Sequence, residues 1–173
     1  MSLRVGTKAP DFKMQGVFKG EFKDFSLSDY KGKWVVLFFY PLDFTFVCPT
    51  EIKEFSKRNA EFEKLNAKVL GASIDSVYSH KAWIDSELGE LAYPLLSDIT
   101  KKVSADYDIL HDDSVSLRGT FIIDPEGVVR WMVVSDLGTG RSVKETLRSL
   151  AALQTGELCQ IDWEPGEKTL GAA

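Results

Sequence analysis

The most apolar run of the chain is Trp34-Val35-Val36-Leu37-Phe38-Phe39. It is short, rich in β-branched and aromatic residues, and has no polar face, which is the pattern of a fully buried strand. Beyond it the apolar positions become Ile52, Phe55, Phe62 and Leu65, with Lys, Arg and Glu between, and this spacing predicts a helix over roughly 49–66. A second apolar strand, Val69 to Ile74, ends at Asp75, and a helix carrying His80, Trp83, Ile84 and Leu88 follows. Tyr93 to Leu96 reads as a short extended piece and Ile99 to Tyr107 as a short helix. Two β-rich runs, Gly119 to Asp124 and Val128 to Val134, are joined by Asp124-Pro125-Glu126-Gly127, a turn sequence that makes them a hairpin. Val143, Leu147, Leu150 and Leu153 form a last amphipathic helix, stopped by Gly156. Ahead of all this, residues 1–33 read as an extension with short strands, Gly16 and Gly20 punctuating Phe18 and Phe22, and one helical turn closed by Gly32. Periodicity stops at Glu157, and the remaining tail is expected to be mobile or to dock on a partner.

Cys48 sits where the buried strand hands over to the amphipathic helix. Pro49 agrees with that place, since the first helical turn has no use for its missing N–H. The first turn also presents unpaired N–H groups and partial positive charge, both of which favour a thiolate. A free thiol titrates near about 8.5 and falls at a helix N-terminus or beside a cation. Thr45, three residues earlier, can turn a hydroxyl to the same spot. A small buried hydrophobe is the ordinary alternative for such a cysteine.

The motif Pro41-x-x-x-Thr45-x-x-Cys48, and the longer Phe44-Thr45-Phe46-Val47-Cys48-Pro49-Thr50-Glu51, resembles the active-site motif of the peroxiredoxins, in the typical two-cysteine branch that includes the peroxidase subunit of alkyl hydroperoxide reductase. The resemblance extends over nearly the whole chain. The element order agrees with a thioredoxin-like α/β fold, a central mixed sheet flanked by helices, with the N-terminal extension and a C-terminal tail added. Residues 1–156 are taken as the thioredoxin-like domain and 157–173 as the tail carrying the second thiol.

The resemblance implies a thiol-dependent peroxidase acting on hydrogen peroxide and organic hydroperoxides. Cys48 is the attacking sulfur. Arg118 stabilises it, although a lone loop arginine is ordinarily a solvated charge. Thr45 hydrogen-bonds the sulfur and a peroxide oxygen; an N-cap is its ordinary role. Pro41 shields the pocket, though it also suits a strand terminator. Glu51 and Arg141 are supporting charges that hold Arg118, or else ordinary helix-terminus charges. Cys159 supplies the resolving thiol from a partner subunit, which makes the functional unit a homodimer, and that branch often stacks dimers into a decameric ring. Thioredoxin or a flavoprotein disulfide reductase would return the disulfide to thiols. No metal, haem or flavin belongs to the enzyme itself. A peroxide sensor passing its disulfide to a partner, and a ring-shaped holdase, are the readings from another class.

Two departures from the family pattern stand out. Gln160 follows Cys159 where the family has Pro, although Trp163, Pro165, Gly166 and Lys168 keep the rest. The loop Ser86-Glu87-Leu88-Gly89 replaces a Gly-Gly-Leu-Gly, and no Tyr-Phe tail motif is present, so resistance to overoxidation of Cys48 is expected.

Composition narrows the classes. With 21 basic and 26 acidic residues the net charge of −5 argues against nucleic acid. No apolar run approaches the ~18 residues of a membrane span, and no signal-peptide layout is visible, so a cytoplasmic location is expected. Two Cys and two His are too few for a zinc site of the usual spacing, and there is no Cys-x-x-Cys. His80 and the loop residue His111 are not needed by the chemistry. Trp34, Phe46, Trp83 and Trp131 are expected in the core, with Phe46 and Trp83 also candidates for the pocket wall.

Overall fold

The computed structural model describes residues 2–172. The chain divides into two compact units, residues 1–141 and residues 142–173. The larger unit is built on a seven-stranded mixed sheet.

Strands β1 (Lys13–Phe18) and β2 (Glu21–Ser26) form an antiparallel hairpin over Lys19 and Gly20, both at positive φ. Two such residues make the turn whose twist suits a two-residue loop. One turn of 3₁₀ helix, Leu27–Tyr30, leads into β3 (Trp34–Phe39). Helices α1 (Cys48–Lys57) and α2 (Asn59–Lys64) follow, then β4 (Ala67–Ser73), α3 (Val77–Trp83), a π-helical turn Ile84–Leu88, and β5 (Leu95–Ser97). Helix α4 (Lys102–Asp106) and a small hairpin of β6 (Leu110–His111) and β7 (Val115–Ser116) precede the long hairpin β8 (Arg118–Ile123) and β9 (Val129–Ser135). The sheet order is β2-β1-β5-β4-β3-β8-β9, with β3, β4 and β5 parallel and the other pairings antiparallel.

The apolar run lies at the centre of this sheet. Val35 through Phe39 are buried, and alternate residues face opposite layers. Leu37 and Phe39 join Leu70, Leu96, Tyr107 and Phe121 in one core. Phe38 points the other way and stacks on Phe55 of α1, ring centroids 4.3 Å apart. Full burial of such a ring stabilises the fold by roughly 1.5–3 kcal/mol. It also fixes the axis of the helix that begins at Cys48.

The sequence pattern and the structure differ in four places. The predicted helix over 49–66 is two helices separated at Arg58 (φ −97°, ψ 9°). Phe55 and Phe62 remain in ring contact across the break, so a seven-residue apolar spacing conceals it. The helix through Leu88 ends at Trp83 and continues as a π turn, in which the Gly89 N–H bonds the Ile84 carbonyl at 3.0 Å. The wider turn lets Trp83 and Leu88, five apart, both face inward. The helix expected from Ile99 starts only at Lys102, because the Asp98 carboxylate accepts the N–H groups of Val103 and Ser104 at 3.1 and 2.7 Å, and Ile99 is exposed. Phe46, expected in the core, is 93% exposed, and Trp34 and Trp131, expected there too, are only half-buried.

The smaller unit is α5 (Val143–Thr155) and the tail. Ser142 Oγ caps the helix by accepting the Glu145 N–H at 3.1 Å, and Gly156 ends it at φ 65°. The tail folds back on itself. The Leu158 N–H bonds the Gly171 carbonyl, the Leu170 N–H bonds the Leu158 carbonyl, and Arg148 donates to the Trp163 carbonyl. Among the described residues no helix is long and apolar enough to cross a membrane.

Candidate active site

Strand β3 ends at Phe39, and the loop of residues 40–47 delivers Cys48 as the first residue of α1. The sulfur is fully buried. Val47 is the N-cap and offers no side-chain hydrogen bond, so the helix start carries no capping side chain. Pro49 is in the first turn, and Glu51 is the acid of that turn.

Arg118 opens β8, separated from β3 by four strands in sequence yet adjacent to it in the sheet. It is 3% exposed, not a solvated loop charge. Its Nη1 donates to Cys48 Sγ at 3.3 Å and to Glu51 Oε2 at 2.8 Å. Its Nε donates to the Leu137 carbonyl at 2.9 Å. Nη2 has no protein partner among the described residues, so one donor nitrogen beside the sulfur is free for a ligand.

Glu51 is the centre of the charge arrangement. Oε1 accepts the Arg141 backbone N–H at 2.8 Å and its Nε at 2.9 Å, and Oε2 accepts Arg141 Nη2 at 3.1 Å in addition to Arg118. Arg141 immediately precedes Ser142, the N-cap of the last helix. Its guanidinium also donates to the Gly119 carbonyl at 2.8 Å and Thr120 Oγ1 at 3.0 Å. Burial pushes the Arg141 guanidinium down from its ordinary value, and Glu51 opposes that push. Two guanidinium groups and one carboxylate, all nearly without solvent exposure, leave one positive charge unbalanced. Buried charge is costly unless paired. Cys48 Sγ, the other acceptor on Arg118 Nη1, is the group that lies beside that charge.

Pro41 is buried beside the end of β3. Thr45 is half-buried, and its hydroxyl donates to the Leu42 carbonyl at 2.9 Å, which leaves the oxygen's lone pairs as acceptors. Since Val47 takes the N-cap position, Thr45 is not the helix cap. Trp83 is fully buried, 5.5 Å from the Phe44 ring, and its indole N–H donates to Glu87 Oε2 at 2.9 Å. Phe44 itself sits at φ 55°, an unusual conformation for a bulky residue.

Residues 5–132 match the AhpC/TSA family. The chain belongs to that family. It is 56% identical over 177 residues to the chloroplastic 2-Cys peroxiredoxin of Spinacia oleracea, an alignment covering 96% of this chain and 67% of that one. It is 54% identical over 179 residues to a putative peroxiredoxin in a rubredoxin operon of Clostridium pasteurianum, covering 98% of this chain and 100% of that one. Among solved structures it resembles the reduced 2-Cys peroxiredoxin of Plasmodium vivax, with a TM-score of 0.92 and 44% identity over 95% of this chain and 91% of that one. The central mixed sheet with flanking helices is the thioredoxin-like fold of those peroxiredoxins. The chain is accordingly an enzyme, a thiol-dependent peroxidase.

Within this peroxiredoxin the structure gathers Cys48, Arg118, Glu51 and Arg141 into one hydrogen-bonded cluster. Cys159 lies in the smaller unit, partly buried, its sulfur 3.5 Å from Thr155 Oγ1 and 3.9 Å from the Ala152 carbonyl. Both cysteines are free thiols. One contributor escapes any sequence signal: the Leu137 carbonyl, a backbone group, which orients Arg118. A second set, Asp43 with His80 and Tyr40, left a trace in the sequence as an acid within an otherwise apolar approach to the cysteine.

Proposed function

We propose that Cys48 reduces hydrogen peroxide and small organic hydroperoxides in the following way. The thiolate attacks one oxygen of ROOH. The O–O bond breaks, its electron pair leaves with the distal oxygen, and a proton from solvent makes ROH. Sulfur is oxidised to Cys48–SOH. Negative charge moves along the S–O–O line, so donors aimed there stabilise the transition state more than the ground state. Arg118 is suited to this task, because Nη1 touches sulfur and Nη2 is unengaged. The Thr45 oxygen accepts the peroxide hydroxyl, Pro41 excludes water, and Glu51 with Arg141 keeps the guanidinium in place. The approach of Arg118 to Cys48 at 3.3 Å is the single observation that most supports this reading.

The sulfenic acid then condenses with Cys159 of a second subunit, releasing water and forming an S–S bond. A dithiol, from thioredoxin or a flavoprotein disulfide reductase, reopens it by exchange. The homodimer this requires finds support in β9. That strand closes one edge of the sheet, and Val133 and Val134 on it are exposed apolar residues. Such an edge offers unpaired backbone groups to a second strand. Five dimers closing a ring is the further assembly proposed. Free thiols suit a reducing compartment, and the cytoplasm is the proposed location.

The test is a turnover assay. Reduced protein is mixed with peroxide and a dithiol reductant, and the peroxide consumed is counted per subunit. Many turnovers, abolished in Cys48→Ser, support the proposal. One slow oxidation per subunit, or equal consumption by Cys48→Ser, contradicts it.

A further inference from the structure

A buried polar cluster around Asp43 has no part in the chemistry above. Asp43 lies between Pro41 and Thr45 and is buried. Its Oδ1 accepts the Tyr40 hydroxyl at 2.7 Å. Its Oδ2 accepts the Ser79 hydroxyl at 2.8 Å and lies 2.7 Å from His80 Nδ1. Its backbone N–H donates to Asp75 Oδ2 at 2.9 Å, which also takes the Ser73 hydroxyl. His80 is fully buried, and its Nε2 lies 2.9 Å from the Leu96 carbonyl. A carbonyl only accepts, so Nε2 carries a proton. Nδ1 faces the Asp43 carboxylate. The pair is closed, with no atom left over to act on a substrate.

What the cluster holds is visible one residue away. The Leu42 carbonyl, which takes the Thr45 hydroxyl, is flanked by Pro41 and the clamped Asp43. Phe44, at φ 55°, is the only residue between the clamp and Thr45. Tethers from β4, α3 and the β3 end therefore meet at the peptide that aims the Thr45 hydroxyl. We propose that Asp43 and His80 are positioning residues for peroxide reduction: together they fix the Leu42 carbonyl, and through it the direction of the Thr45 oxygen over Cys48. Neither touches substrate. Reacting groups displaced by about 1 Å can lose on the order of a hundredfold in rate, so a relaxed clamp is enough to be measured.

The inference rests on the peroxidase reading, and the experiment separates the two. Single-turnover oxidation of Cys48 by hydrogen peroxide is timed by stopped-flow fluorescence in the wild type, Asp43→Asn, His80→Gln, Thr45→Val and the two double variants with Thr45→Val. Alkylation of Cys48 by iodoacetamide, which needs the sulfur but not Thr45, is timed in parallel. Asp43→Asn and His80→Gln are expected to slow peroxide oxidation by about tenfold or more and to leave alkylation unchanged. In the Thr45→Val background neither should slow it further, because their effect runs through the missing hydroxyl. If Asp43→Asn does not fold, His80→Gln, which keeps a donor toward Asp43, carries the same comparison. Effects that add to that of Thr45→Val, equal slowing of alkylation, or wild-type peroxide rates in the variants would overturn the inference. Slow oxidation of the wild type itself would instead remove the peroxidase reading.

Discussion

Cys48 Sγ and Glu51 Oε2 share one nitrogen, Arg118 Nη1, at 3.3 Å and 2.8 Å. Both acceptors belong to the first turn of α1, three residues apart, so one helical turn sets their separation. The nitrogen comes from another strand and is aimed by the Leu137 carbonyl. The site is therefore a meeting of a helix start, a strand start and the loop that ends at Arg141, and each can be broken separately.

Removing the carboxylate leaves two buried guanidinium groups facing each other. Glu51→Ala is expected to lower stability by about 3–5 kcal/mol, the cost of an uncompensated buried charge. Urea unfolding measures it. Glu51→Gln, which keeps the acceptor oxygen, should fall between the two. A loss under about 1 kcal/mol, the worth of an exposed pair, would mean the cluster is solvated in solution.

Gly71 on β4 has no room for a methyl group. A Cβ there would stand 2.8 Å from Phe38 Cζ and 3.1 Å from Leu95 Cδ1. Phe38 is the ring under Phe55, so Gly71→Ala should push on α1 itself. A destabilisation of about 1–3 kcal/mol, typical of overpacking, is expected in chemical unfolding. An unchanged midpoint would show that Phe38 can yield.

Acid should loosen the turn of the β8–β9 hairpin. Burial works to raise Asp124, but the Val128 N–H, Arg130 and the Glu126 N–H outweigh it and hold the carboxyl below its ordinary value of 3.8. A depressed acid contributes stability that is complete above that ordinary value and is lost as pH falls through the lowered one. Wild-type stability should thus fall more steeply below about pH 4 than that of Asp124→Asn. Parallel curves would contradict this assignment.

Covalent chemistry between subunits has a simple readout. After one equivalent of peroxide, a non-reducing gel is expected to show a dimer band that is absent from Cys159→Ser. A dimer band that persists in that variant would assign the second sulfur elsewhere.

Much of the fold was legible because hydrophobic pattern reports burial. The run at 34–39, the turn at Asp124 to Gly127 and the stop at Gly156 each carry a local physical signature. The break at Arg58 was not legible, since the apolar spacing survives it. The π turn was hidden because residues five apart do not match a 3.6-residue period. The late start of α4 depends on the Asp98 side chain taking the first N–H groups, which propensity cannot see. Of the site, Cys48 and its place at the helix start could be read from the strand-to-helix handover. The burial of Arg118 could not, because the groups that neutralise it are 67 residues away in sequence. Phe46 was misplaced because an aromatic residue beside a core strand ordinarily turns inward, and here the loop turns it out.

The decisive comparison is the rate at which hydrogen peroxide oxidises Cys48 in the wild type and in Arg118→Lys, read by stopped flow in a single turnover. Lysine keeps the charge but lacks the fork that reaches sulfur, carboxylate and carbonyl together. Its second-order rate constant is expected to fall by about 10²–10³, the loss that follows removal of a donor aimed at developing charge. A rate within a factor of about two of wild type, in a variant that still folds, would contradict the account.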